Sequence, residues 1–172
     1  MILNLFGSNK WLRLGLLVVV VQQTLVAIGT YLMGRIAEDA SHNVVSFPQL
    51  ITFGLCLALS GSLFHYLICY FSTKAQKTEL FNYFKKYING NYNNPSLWRD
   101  KDSKSNVHDM MMKESPETIT TYTSFLIDAT ATLLNVILNT ISVMLITGLG
   151  MGVAIIIAGV IGLLIVHVSS HR

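Results

Sequence analysis

Charge is spread along this chain so unevenly that most folds are excluded at once. Residues 14–34, 40–73 and 118–171 contain a single Asp, Glu, Lys or Arg between them, Asp128. The stretch 73–117 holds eight of the twelve basic residues and six of the nine acidic ones. Soluble domains carry about 25% charged residues, whereas this 172-residue chain has 12%, with 52% hydrophobic residues. A water-soluble fold of this size has too little interior to hide so much apolar surface. The expected fold class is therefore an all-α membrane protein. The net charge of +3 is small and bears on topology; no nucleic-acid partner is expected.

The first long apolar run, residues 14–33 (LGLLVVVVQQTLVAIGTYLM), follows Lys10 and Arg13 and carries no charge. Twenty residues at about 1.5 Å each span a hydrocarbon core of roughly 30 Å. A cleaved signal peptide is the competing reading. The run exceeds the usual apolar core of such peptides and lacks an A-x-A site, which favours a retained span. Residues 34–48 (GRIAEDASHNVVSFP) read as a polar connection, and residues 50–71 as the second span. Cys56 and Cys69 both lie in that second apolar run. They read as small buried hydrophobes, with no disulfide framework and no metal site.

Past Phe71 the apolar period changes without stopping. Leu80, Phe81, Phe84, Tyr87 and Ile88 form one helical stripe, while Lys74, Lys77, Lys85 and Lys86 fall mostly on other faces. The second span is thus expected to continue beyond the bilayer by some eighteen residues, about 27 Å, and to end near Gly90. Asn94-Pro95 reads as an N-cap and first helical position for a short helix through Leu97, Trp98, Arg99, Asp100, Lys101 and Asp102. Ser115-Pro116-Glu117 is either a fresh helix start or a kink. Residues 119–147 and 149–168 are the third and fourth spans, joined by a tight hairpin at Thr147-Gly148. With both termini and 73–117 cytoplasmic, eleven of the twelve Lys/Arg face inward and only Arg35 lies outside.

Several polar side chains interrupt the spans. Asp128 is the one acidic group, and Asn135 and Asn139 follow at seven and eleven residues, on the same helical face. A carboxylate at mid-bilayer costs about 2.5–3.5 kcal/mol on insertion scales, so it is expected to face protein or water. Gln22, Gln23 and His65 are candidates for the same interior. Two readings stay open for this set: interhelical hydrogen bonds that fix packing, or a polar lining along a substrate pathway. His42, His108, His167 and His171 show no ligand spacing. No G-x-x-x-x-G-K-[ST] is present to cradle a nucleotide phosphate, and no catalytic constellation stands out. Met110, Met111 and Met112, with Leu97 and Trp98, are large apolar groups outside the bilayer. They pack on one another as a small subdomain or dock a partner.

The layout resembles the first four transmembrane helices of an ABC exporter with the type IV, six-helix transmembrane domain. The resemblance rests on Gly34-Arg35-Ile36-Ala37-Glu38-Asp39 after the first span and on Leu80-Phe81 with Tyr83-Phe84-Lys85-Lys86-Tyr87 on the extended helix. It rests also on Leu97-Trp98-Arg99-Asp100-Lys101-Asp102-Ser103 and Glu117-Thr118-Ile119. It implies that residues 97–102 form a coupling helix against a nucleotide-binding domain, and that Gln22, Gln23, His65, Asp128, Asn135 and Asn139 line a substrate route. It also implies ATP and magnesium on a missing or partner domain, and a dimer of transmembrane domains in a bacterial inner membrane. The family usually has a glycine after the coupling segment, where this chain has Ser105-Asn106, and its helix runs on where this chain has Pro116. Helices five and six and the ATPase are not in the sequence, so the chain reads as a fragment, a truncated product or a split subunit, and not as an enzyme by itself. A four-helix adaptor whose cytoplasmic loop binds a partner is the alternative. A small channel built on Asp128, Asn135 and Asn139 is a third.

Overall fold

The computed structural model describes residues 9–42, 44–91, 105, 107–154 and 157–159. Among these residues every regular element is helical. Helix α1 is Lys10–Ser41. Helix α2 joins Phe47–Ala58, a π-helical stretch at Leu59–Phe64, and His65–Asn91. Helix α3 begins at Val107, passes a π-helical stretch at Met110–Glu114, and continues as Ser115–Thr147. A shorter apolar helix, α4, is Leu149–Gly159.

Helices α1, α2 and α3 are long and apolar enough to cross a membrane. Leu17, Leu55, Leu133 and Leu145 all point outward, with more than half of each exposed. Apolar surface on that scale is untenable in water and natural against lipid. The chain is an integral membrane protein. Cys69 shows the same logic as a correction: it is exposed, whereas Cys56 is buried. Inside a bilayer an apolar position need not face protein, so hydropathy alone does not place it in a core.

Contacts divide the chain into two compact units, Met1–Val19 with Tyr66–Thr130, and Val20–His65 with Ala131–Arg172. In the first, Asn9 caps α1. Its Oδ1 accepts from the Trp11 and Leu12 backbone N–H groups at 3.0 and 3.4 Å, and its Nδ2 donates to the Ala75 carbonyl at 3.0 Å. Trp11 stacks on Phe71 with ring centroids 6.1 Å apart. The stripe on α2 is split: Leu80, Phe84 and Tyr87 are half-buried, but Phe81 is 67% exposed and Ile88 is also exposed. The methionines divide likewise. Met110 Sδ accepts from the Tyr83 hydroxyl at 3.7 Å, whereas Met112 is 66% exposed.

Pro116 neither starts nor breaks α3. Proline removes one backbone donor and its ring crowds the carbonyl four residues earlier, here Met112. The π-helical turn at Met110–Glu114 lies across that carbonyl, and the widened turn makes room for the ring. In the second unit, α1 does not stop at Gly34 as the polar connection suggests but runs seven residues further. Arg35 Nη1 bonds Glu38 Oε2 at 2.8 Å within that last stretch. Gln49 closes the turn that follows, accepting from the Ser46 N–H and donating to Asp39.

The hairpin between α3 and α4 is tight, as expected. Gly148 has φ +89°, and its N–H bonds the Met144 carbonyl at 2.9 Å. That is the left-handed C-terminal cap glycine accepts without strain. Gly152 is buried, and a Cβ there would collide with the Met144 side chain. The missing side chain lets the two arms close.

Candidate functional site

The polar groups of the second unit converge on one seam between α1 and α3. Asn135 Nδ2 donates to Gln23 Oε1 at 2.9 Å, and Asn139 Nδ2 donates to Asn135 Oδ1 at 2.9 Å. The Thr30 hydroxyl lies 3.0 Å from Asn139 Oδ1 and 3.1 Å from the Val26 carbonyl, its one proton serving either acceptor. Ser142 Oγ stands 3.0 Å from the carbonyls of both Ala27 and Leu138. At the far end Gly34 meets Ile146, where a Cβ would sit 3.1 Å from Ile146 Cγ1.

The spacing explains why these residues meet. On α1 the positions are 23, 27, 30 and 34; on α3 they are 135, 139, 142 and 146. Both step by four, three and four, the seven-residue repeat of two helices packed side by side. The numbers rise in the same sense, so α1 and α3 run parallel along the seam. The pairings Ala27 with Ser142 and Thr30 with Asn139 cross because a helical carbonyl points toward the C-terminus while side chains lean toward the N-terminus. Small residues let the backbones approach, and amides and hydroxyls bridge them, which is how apolar helices associate in lipid.

Gln22 turns about 100° from Gln23 and serves the other neighbour. Its Nε2 donates to the Ser60 carbonyl of α2 at 2.8 Å. Ser60 is buried inside the π-helical turn, where carbonyls tilt off the helix axis and a free lone pair is open to a second donor. Adjacent glutamines thus fasten α1 to α2 and to α3. At about 0.6 kcal/mol per interhelical hydrogen bond, the four tying α1 to its neighbours contribute on the order of 2 kcal/mol.

Of the residues singled out from the sequence, Gln22, Gln23, Asn135 and Asn139 are on this network. Asp128 and His65 are exposed. Leu97, Trp98, Arg99, Asp100, Lys101 and Asp102 lie outside the described residues. Thr30, Ser142 and the π-helical turn were missed. The first two were legible as hydroxyls in the same seven-residue register. The turn was not, because no residue type marks it.

A second polar site is in the first unit, beyond the apolar stretch of α2. Glu79 is buried at 3% exposure and shares a hydrogen bond with Asn9, but its Oε1 has no partner among the described residues. Burial pushes its carboxyl above the ordinary carboxylate range, and the Asn9 bond offsets part of that rise. No family model, curated protein or solved structure matches the chain. Among the described residues no group of three or more His, Cys, Asp or Glu is placed to hold a metal ion.

Proposed function

We propose that the chain is the transmembrane portion of an ATP-driven exporter with four spans and both termini cytoplasmic. In this reading 73–117 docks a nucleotide-binding domain through residues 97–102, and the spans contribute to a substrate route. One observation carries most of the support. Helices α2 and α3 contain runs of 44 and 41 residues, Phe47–Gly90 and Val107–Thr147. At about 1.5 Å per residue each rises roughly 60 Å, about twice the hydrocarbon thickness. Both excesses flank the charged segment, which suits rigid helices that carry motion between a soluble motor and the membrane. The seam's amides bond one another, which favours a packing role for Gln23, Asn135 and Asn139. A pathway role then falls to polar groups outside the seam, such as Asp128. ATP and magnesium belong to the partner domain, and the membrane is read as a bacterial inner membrane.

The test is Trp98→Ala and Arg99→Glu in the chain assembled with its remaining helices and ATPase. Both variants are expected to hydrolyse ATP without transport. Coupled transport at the unaltered rate in both would reject the reading.

A further inference from the structure

We infer that the extramembrane parts of α2 and α3 form an interface between two copies of this chain, with Lys77, Phe81 and Lys85 of one copy against Asp109, Met112 and Glu117 of the other. The inference goes beyond the proposed function. It rests on the placement of 73–117 outside the bilayer and gives a surface to the dimer of transmembrane domains that the resemblance implies, and does not depend on an ATPase.

Two exposed faces of opposite sign lie within one unit. On α2, Lys77, Phe81 and Lys85 are spaced four residues apart and share a face, with Lys74 and Lys86 also exposed. No carboxylate among the described residues is within ion-pair distance of these lysines; Lys74 lies over the Tyr70 ring. On α3, Asp109, Met112, Glu114 and Glu117 are exposed. The π-helical turn absorbs one extra residue, so Asp109 to Glu117 amounts to seven α-helical steps and the two carboxylates share a face. Lys113 also lies there, 4.0 Å from Asp109 with both side chains largely exposed. A pair so long and wet contributes little and leaves Asp109 open to a closer cation. Phe81 and Met112 are large apolar groups in water, a pattern that calls for a covering surface.

Height selects the occupant. Copies inserted in one bilayer share an orientation, so the axis relating them is the membrane normal and equal heights meet across it. Consecutive spans run in opposite senses, and the Tyr83–Met110 contact marks one common level on α2 and α3. Counting away from it, Phe81 is level with Met112. Lys85 is one residue from the level of Asp109, and with the extra residue of the π-helical turn allowed for, Lys77 is level with Glu117. Each apolar group meets an apolar group and each cation a carboxylate. A separate acidic partner would be under no such constraint to match all three levels.

The experiment uses the full chain in lipid nanodiscs, with two differently tagged copies lacking Cys56 and Cys69 through alanine substitution. One copy carries Lys77→Cys and the other Glu117→Cys; a second set pairs Lys85→Cys with Asp109→Cys. The out-of-level control pairs Lys77→Cys with Asp109→Cys, about 10 Å apart in height. Under oxidation the level pairs are expected to give disulfide-linked heterodimers, read on non-reducing gels, about tenfold above the control. Equal linkage in all three sets, or none, overturns the inference. Separately, Lys77→Glu with Lys85→Glu should lower the dimer fraction about tenfold, and adding Asp109→Lys with Glu117→Lys to the same chain should restore it. A four-fold variant that stays monomeric while retaining its helical circular dichroism also overturns it.

Discussion

The Gln23–Asn135–Asn139 seam and the Asn9–Glu79 site treat polar groups in opposite ways. Along the seam each amide oxygen named accepts a donor from a neighbour. At Glu79 a carboxyl is buried with one oxygen unpaired among the described residues, while the nearby Lys74, Lys77, Lys85 and Lys86 stay on the surface. The difference follows from what surrounds each. In hydrocarbon no water is available to satisfy a stray amide, so polar groups persist where they find one another. Where water is close, charges remain solvated and a buried acid can take up a proton in place of a partner.

The comparison breaks most sharply at Asn135. Asn135→Asp replaces an amide that both donates and accepts with a carboxylate facing the Gln23 oxygen, and is expected to destabilise by about 2.5–3.5 kcal/mol. Asn135→Leu removes the same bonds without adding charge and should cost about 1 kcal/mol. Unfolding in detergent by graded SDS measures both. Equal losses in the two variants would mean that the seam is wet.

Glu79→Gln sharpens the contrast from the other side. Because burial raises the carboxyl in the folded state, the folded chain binds its proton more tightly than the unfolded chain does. Stability is then greatest at acid pH, falls as the pH climbs from the ordinary carboxylate value to the raised folded one, and stays low above it. The amide keeps the shape and cannot ionise, so it should flatten that slope and add on the order of 1 kcal/mol near pH 8. Unfolding midpoints from pH 4 to 8 decide it; an unchanged slope places the titrating group elsewhere. The smallest effect belongs to Arg35→Ala. Its pair with Glu38 is exposed on both sides, so solvent screens it and the unfolding midpoint in the same assay should stay unchanged.

Much of the α-helical layout was legible because hydropathy and charge act over windows of many residues. The run of α2 past Phe71 into the lysine-rich stretch followed from its unbroken stripe and the absence of any helix stop before Gly90. The tight hairpin at Thr147-Gly148 followed from a connection too short for anything else. Gly34 misled, because glycine after an apolar run reads as an end. In the structure it is an interior position kept bare for Ile146. Three of the eight seam positions were visible as Gln23, Asn135 and Asn139, with Gln22 beside them. Their partners were not, because periodicity fixes a face on each helix but not which helix it meets. Asp128 shares a helical face with Asn135 and Asn139 by spacing, and it is exposed.

By itself the amino-acid order determined that this chain carries helices long and apolar enough to cross a membrane, since transfer free energy sums along a segment whatever its neighbours. Tertiary structure alone decided that α1 packs against α3 in a shared seven-residue register. It alone decided that a π-helical turn receives Gln22, and that Glu79 is buried beside Asn9. Those outcomes depend on contacts between residues far apart in the chain, which no local pattern encodes.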